Sequence, residues 1–307
     1  MAPLILDGGF SRDLIRLGAP FKQPEWSALS LLEAPEYVRR VHVEFVKSGA
    51  DIITTNSYAL VPFHIGQDRF NLRGAELAAL AGRLAREVAD RSADQGAKVL
   101  VAGSLPPIFG SYEPDKFDAQ KVQEYLSILV DALAPYVDVW LGETLSLIAE
   151  AQAVRLATRN TDKPLWISFT LDDTSQQNPP CLRSGESIEQ AAEWAQRVGA
   201  SALLFNCSSA EYMAPGIKIA RDVFAAYSAS PPVIGAYANA FASAVGDQPA
   251  NEGLNITRKD LTPEMYAQFA KEWISLGASI VGGCCGIGCD HIRELVAQLK
   301  SLRTAHP

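Results

Sequence analysis

The sequence predicts an α/β chain folded as a (β/α)8 TIM barrel, a single domain over residues 1–307. Three observations carry that prediction. Eight short runs are apolar on both faces, as strands of a helix-covered parallel sheet are. Each is followed by a stretch of helical spacing, and eight repeats of that unit close into a barrel. Polar residues collect at the C-terminal ends of the runs, where barrel active sites are built. A doubly wound open sheet is the alternative, yet no G-x-G-x-x-G follows the first strand as its usual cofactor site requires.

The elements follow in order. Residues 4–8 (LILDG) form the first strand. The first helix comes after Pro35, where Tyr37, Val38, Val41, Phe45 and Val46 keep helical spacing. Residues 50–58 (ADIITTNSY) are β-branched and lead into an alanine-rich helix over 73–94. The third strand, 98–107 (KVLVAGSLPP), precedes a helix over 117–133, and the fourth, 137–144 (VDVWLGET), precedes one over 145–158. The fifth strand, 164–171 (PLWISFTL), passes through a polar loop into a helix over 187–198 with Gly199 as its C-terminal cap. Residues 202–208 (ALLFNCS) lead into a helix over 210–227. Residues 232–239 (PVIGAYAN) lead through a long loop into 263–276, with Thr262 as N-cap and Pro263 as first helical residue. Residues 279–286 (SIVGGCCG) form the eighth strand and 291–302 the last helix.

Bulk composition narrows the function. With 307 residues, 48% of them hydrophobic, the chain supports a large core. A formal charge of −8 argues against nucleic-acid or anionic-membrane partners and in favour of small molecules. There is no apolar stretch of spanning length and no leader-like N-terminus, so the expected location is cytoplasmic. Five cysteines, two of them adjacent, do not make a secreted disulfide framework. A reducing compartment keeps them free for metal. The oligomeric state stays open.

The GGCCG at residues 282–286 organises the rest. Neighbouring side chains on a strand point to opposite faces, so Cys284 and Cys285 converge only where the backbone bends, and the glycines permit that bend. A disulfide between adjacent residues is strained, because their Cα atoms lie about 3.8 Å apart. Two thiolates suit a soft cation, Zn²⁺ first among intracellular ones, and Cys207, closing another apolar run, is the candidate third ligand. Three ligands leave one vertex for substrate. Around them the strand ends offer Asp7, Asn56, Tyr58, Ser104, Glu143 and Asn239 as candidate substrate-binding residues. Helix capping is the competing reading for such positions, for Ser104 above all.

With Asp7-Gly8-Gly9-Phe10, Thr54-Thr55-Asn56-Ser57-Tyr58, Gly142-Glu143-Thr144, Phe205-Asn206-Cys207 and Gly282-Gly283-Cys284-Cys285-Gly286 in place, the chain resembles the homocysteine S-methyltransferase family over nearly its whole length. That family includes S-methylmethionine-dependent and betaine-dependent enzymes and the homocysteine module of cobalamin-dependent methionine synthase. The resemblance implies a (β/α)8 barrel, a catalytic Zn²⁺ on Cys207, Cys284 and Cys285, and methyl transfer to homocysteine giving methionine. It implies that Asp7 and Glu143 hold the amino acid by its ammonium group, and that Trp26, in a Trp-Ser-Ala, lies in a loop covering the site. The chain departs from the family where Ile287-Gly288-Cys289 stands for the common Thr-Thr-Pro. It departs also in Ala236-Tyr237-Ala238-Asn239 and in the loop over 103–107.

The expected donor is a sulfonium, S-methylmethionine or less efficiently S-adenosylmethionine, because the chain leaves no room for cobalamin or folate modules. A betaine or dimethyl-thetin donor is the near alternative, and a non-enzymatic zinc or thiol sensor the distant one. Phe10, Trp26, Tyr58 and Tyr112 are candidates to face a cationic donor through their rings. Cys289 reads as a helix-start residue, with a spare thiol near the metal as its alternative, and Cys181 gives no functional signal. His42, His64, His291 and His306 lack partners at ligand spacing and carry no metal role.

Overall fold

The computed structural model describes residues 2–175, 177–227, 230–241 and 257–304, so His306 and the middle of the long loop lie outside it. Its eight strands are β1 (Leu4–Ile5), β2 (Ile52–Thr54), β3 (Leu100–Leu105), β4 (Val139–Leu145), β5 (Leu165–Phe169), β6 (Ala202–Ser209), β7 (Val233–Asn239) and β8 (Ala278–Val281). They pair in parallel in the order β1-β8-β7-β6-β5-β4-β3-β2. A parallel bridge between Leu6 and Ile52 closes the ring, with the Asp7 N–H donating to the Ile52 carbonyl at 2.9 Å. The predicted (β/α)8 barrel is therefore the observed fold, and the open-sheet alternative falls.

Side-chain alternation divides the hydrophobic core into two layers. Leu6, Ile52, Ala102, Leu141, Trp166, Leu204 and Ile280 point inward and fill the barrel. Their strand neighbours, among them Ile5, Ile53, Val101, Trp140, Ile167, Leu203 and Val281, point outward against the helices. Two residues further along β2 to β6 the inward positions turn polar, as Thr54, Ser104, Glu143, Ser168 and Asn206, while β1 and β8 lead there into Gly8 and Gly282. The interior is thus a packed floor below a polar rim.

The helices are α1 (Phe10–Arg16), α2 (Ser27–Glu33), α3 (Pro35–Lys47), α4 (Pro62–Ile65), α5 (Gln67–Ala93), α6 (Ala119–Leu133), α7 (Ile148–Thr158), α8 (Ile188–Arg197), α9 (Ala210–Phe224), α10 (Pro263–Leu276) and α11 (Cys289–Thr304). Local chemistry set several ends as the sequence indicates. Ser187 and Gln190 form a reciprocal capping box on α8, and Gly199 just beyond that helix has a left-handed φ of 70°. Thr262 caps α10 by accepting from the Met265 N–H, with Pro263 in the first turn.

Three helices go beyond the eight predicted. The short α1, α2 and α4 lie among prolines and lack a long apolar stripe, so periodicity does not reveal them. α5 starts six residues before the predicted 73, because its first turns carry Gln67, Asp68, Arg69 and Asn71 with Leu72 83% exposed. β8 stops at Val281, not at 286. A Cβ on Gly282 would lie 2.6 Å from the Leu6 Cβ, so there the chain passes too close to β1 for any other residue. No helix among the described residues is long and apolar enough to cross a membrane.

Candidate metal centre and substrate cavity

The Cys207, Cys284 and Cys285 sulfurs, all free thiols, lie within 4.8 Å of one another at the strand-end rim. Cys207 Sγ is 3.8 Å from Cys285 Sγ and 2.6 Å from Cys284 Sγ. Two sulfurs on one tetrahedral Zn²⁺, each bonded at about 2.3 Å, stand about 3.8 Å apart. The donor set and the 3.8 Å Cys207–Cys285 edge fit a thiophilic divalent ion, and the 2.6 Å Cys207–Cys284 pair would have to open by about 1 Å to hold the same ion. Hydrogen bonds from Cys284 and Cys285 hold the Cys207 thiol well below its ordinary range. The same hydrogen bonds to Cys207, followed by burial and the charge on Cys207, push the other two up.

Backbone irregularity aims these groups. Alternation would send Asn206 and Cys207 to opposite faces, but Cys207 has a φ of 52° and the β6–β7 register shifts between Asn206 and Ser209. The bulge turns consecutive residues toward the mouth. β4 repeats the device: Thr144 has a φ of 60° and the register shifts between Gly142 and Leu145, so Glu143 and Thr144 both reach the cavity. Among the described residues, the non-glycine positions with positive φ are Trp26, Tyr112, Thr144 and Cys207, and all four line this cavity. Such conformations cost of order 1–3 kcal/mol each, and their concentration here marks the site independently of the cysteines. Gly8 and Gly9 bring the end of β1 against the cysteine turn, where a Cβ on Gly9 would lie 2.5 Å from the Cys284 carbonyl oxygen.

Asn206 is the group sequence reasoning missed except as a motif letter. Its Oδ1 accepts from Ser168 Oγ at 2.7 Å and from the Thr144 N–H at 3.1 Å. Its Nδ2 then donates to Thr144 Oγ1 at 2.8 Å and toward Cys284 Sγ at 3.8 Å. A donor fixed behind a sulfur orients it and stabilises its charge. The signal available in the sequence was a buried amide immediately before a candidate ligand.

The two predicted carboxyls both border the cavity. Asp7 accepts from the Thr54 N–H at 2.7 Å and Thr54 Oγ1 at 2.9 Å, yet burial pushes its pKa up to about 8. Glu143 accepts from Ser104 Oγ at 2.7 Å and is pushed up to about 7, by burial first and then by the charge on Cys207. No lysine or arginine lines the cavity among the described residues. The carboxyls and thiols consequently face a space with no cation of its own.

The other predicted residues separate. Trp26, Asn56 and Tyr58 line the cavity. Asn56 Nδ2 donates to the Ser27 carbonyl at 3.1 Å, tying down the Trp26 turn, and the Tyr58 hydroxyl pairs with Ser111 Oγ at 2.5 Å. Ser104 stands behind Glu143. Asn239 is outside the lining and accepts from the Phe241 N–H at 3.1 Å, a local turn bond. Of the aromatic candidates, Tyr112 already has the Arg183 guanidinium 4.7 Å from its ring centre, so part of its cation-binding capacity is engaged. Cys289 does not join the thiols. It sits with Asp13 and Glu44 at the start of α11.

A (β/α)8 barrel whose rim gathers three thiols at a cavity bordered by two carboxyls defines the class: a barrel enzyme with a candidate thiol metal site. The match is to the family model described as homocysteine S-methyltransferase, over residues 4–299, and the chain belongs to that family. Methyl transfer to homocysteine is the activity that membership assigns. Homocysteine S-methyltransferase 1 of Arabidopsis thaliana is 30% identical, with 96% of this chain and 93% of the relative covered. Selenocysteine methyltransferase of Astragalus bisulcatus is 28% identical over 97% and 92%. The metallated form of the homocysteine methyltransferase MmuM from Escherichia coli superposes with a TM-score of 0.77 over 97% and 96% of the two chains. At 24% identity that agreement speaks to the fold.

Proposed function

We propose that this protein is a zinc-dependent methyltransferase that moves a methyl group from a sulfonium donor, S-methylmethionine foremost, to the thiol of homocysteine. The observation that carries this reading is the convergence of Cys207, Cys284 and Cys285 within 4.8 Å beside two buried carboxyls that lack a cation. When bound, the ion supplies a Lewis-acidic vertex at which an incoming thiol loses its proton at neutral pH. Cys207, Cys284 and Cys285 are its ligands in this reading, with Asn206 orienting Cys284.

Asp7 and Glu143 accept hydrogen bonds from the ammonium of homocysteine. A cation between them repays the burial that raises both groups and draws them into the ionised form. Ser104 and Thr54 hold the two carboxyls in place. Trp26, Asn56 and Tyr58 shape the wall against which the donor lies, and Asn239 supports the turn after β7. The new bond joins the homocysteine sulfur to the methyl carbon. The old carbon–sulfur bond breaks, and its electron pair stays on the donor, which leaves as a neutral thioether. Holding the two sulfurs and the carbon in line supplies several kcal/mol by removing the entropy of encounter. A cavity lined by acids and thiols favours a donor of net positive charge over a net-neutral betaine. A reducing cytoplasm would keep the thiols available.

The test joins zinc analysis to a donor panel of S-methylmethionine, S-adenosylmethionine, betaine and dimethyl-thetin with homocysteine. Stoichiometric zinc with methionine formed from a sulfonium, and joint loss of both in C284S, is the expected result. Full activity in C284S removes the ligand assignment. Zinc released on oxidation, with no methionine from any donor, would identify a sensor instead.

A further inference from the structure

His64 is unused by the reading above, and it borders the cavity. It lies on α4, the short helix after β2, and is buried against Trp26 and Phe63, with ring centres 6.5 and 5.0 Å away in edge-to-face geometry. Its Nδ1 is 3.1 Å from the Pro24 carbonyl oxygen. A carbonyl only accepts, so Nδ1 carries the hydrogen, and burial keeps the ring neutral with its pKa lowered to about 4. The remaining nitrogen, Nε2, is then a bare acceptor. It has no hydrogen-bond partner among the described residues, and it is not among the sealed, unpartnered polar atoms. An acceptor of fixed tautomer therefore opens on the cavity, beside Trp26.

Its position around the ring assigns it to one substrate. β2 and β6 are four places apart in an eight-strand ring, so α4 follows the strand opposite Cys207, while β8, which leads into Cys284 and Cys285, is two places from β2. In-line attack by a thiol held at the cysteines puts the methyl donor on the side away from them. The two carboxyls at β1 and β4 are taken by the homocysteine ammonium. We infer that His64 Nε2 accepts a hydrogen bond from an N–H of the methyl donor and so selects sulfonium donors carrying a free ammonium over donors without any N–H. This rests on the proposed function and deepens it. S-Methylmethionine meets the requirement, whereas dimethyl-thetin, equally a sulfonium, does not.

Calorimetric titration of the zinc-loaded protein with each compound reads this without turnover. In H64L the ratio of S-methylmethionine affinity to dimethyl-thetin affinity is expected to fall at least about tenfold, and H64Q, which keeps an acceptor, to recover most of it. In the wild type the ¹⁵N resonance of Nε2 should be that of an unprotonated ring nitrogen. It should move upfield with S-methylmethionine and stay in place with dimethyl-thetin. Equal losses for both compounds in H64L, a protonated Nε2 in the free protein, or no S-methylmethionine binding by wild type overturns the assignment. Methionine formation judges the enzyme separately. Turnover with dimethyl-thetin alone refutes the role of His64 and leaves homocysteine methylation standing, whereas no turnover with any donor refutes the activity itself.

Discussion

Among the described residues, two clusters have the ligand types and spacing to hold a metal ion: Cys207 with Cys284 and Cys285, and Asp13 with Glu44 and Cys289. They differ in what already neutralises them. Asp13 Oδ1 accepts from Arg16 Nε at 2.8 Å, and the same guanidinium contacts Glu44, so the second cluster contains its own cation. Cys289 there is a buried thiol pushed up to about 12, by desolvation first and then by Asp13. Among the described residues the rim cluster has three thiols and two carboxyls, with no lysine or arginine in the cavity lining. Proximity of ligand atoms is common to the two clusters; what separates them is whether a cation already stands among them.

Breaking each cluster should expose the contrast. The largest effect is expected for C207S, which should lose zinc and at least about a thousandfold in turnover while keeping its far-ultraviolet circular dichroism. Retained zinc in that variant would place the centre elsewhere. D7N comes next. The homocysteine KM should rise about tenfold or more through a lost charged hydrogen bond, read by steady-state kinetics. Stability should move the other way. The folded-state value near 8 lies above the ordinary 3.8 of an aspartate, so the folded protein binds this proton more tightly than the unfolded chain. That contribution is complete below the unfolded value and is lost as pH rises from about 4 through about 8. The ligand-free D7N protein should accordingly melt at least about 2 °C above wild type at pH 8.5, with no gain at pH 4.

Smaller effects belong to the self-compensated cluster. R16M leaves the buried Asp13 carboxyl without its partner and should cost about 2 kcal/mol by chemical denaturation, moderated because Arg16 is half exposed to solvent. Its zinc content should not increase. The smallest change is expected for C289S, within about 1 kcal/mol in stability and with unaltered zinc and kinetics. Zinc loss in C289S would erase the distinction between the two clusters.

The rim was more legible in the sequence than the wall facing it. Asp7, Glu143 and the cysteine pair stand directly at the ends of apolar runs, where a barrel must place its site. Trp26 came only with the family likeness, and His64 read as an isolated ring. Trp26 stands in the turn just before the short α2 and His64 on the short α4, where neither period 2 nor period 3.6 has room to appear. Asn239 stands apart from the other strand-end residues. Its strand-end position matched the others, but its side chain was taken by a backbone N–H two residues on.

Composition and periodicity alone determined the parallel strands, their order with the helices and the face on which chemistry would gather, because each of these is written in the alternation of neighbouring residues. Closure of β1 on β2 decided which strand ends meet. The left-handed turns at Cys207 and Thr144 decided which side chains leave the alternation to enter the cavity. Those choices depend on contacts such as Leu6 with Ile52, Thr144 with Asn206 and Tyr112 with Cys207, 46, 62 and 95 positions apart, and no local pattern encodes a contact of that range.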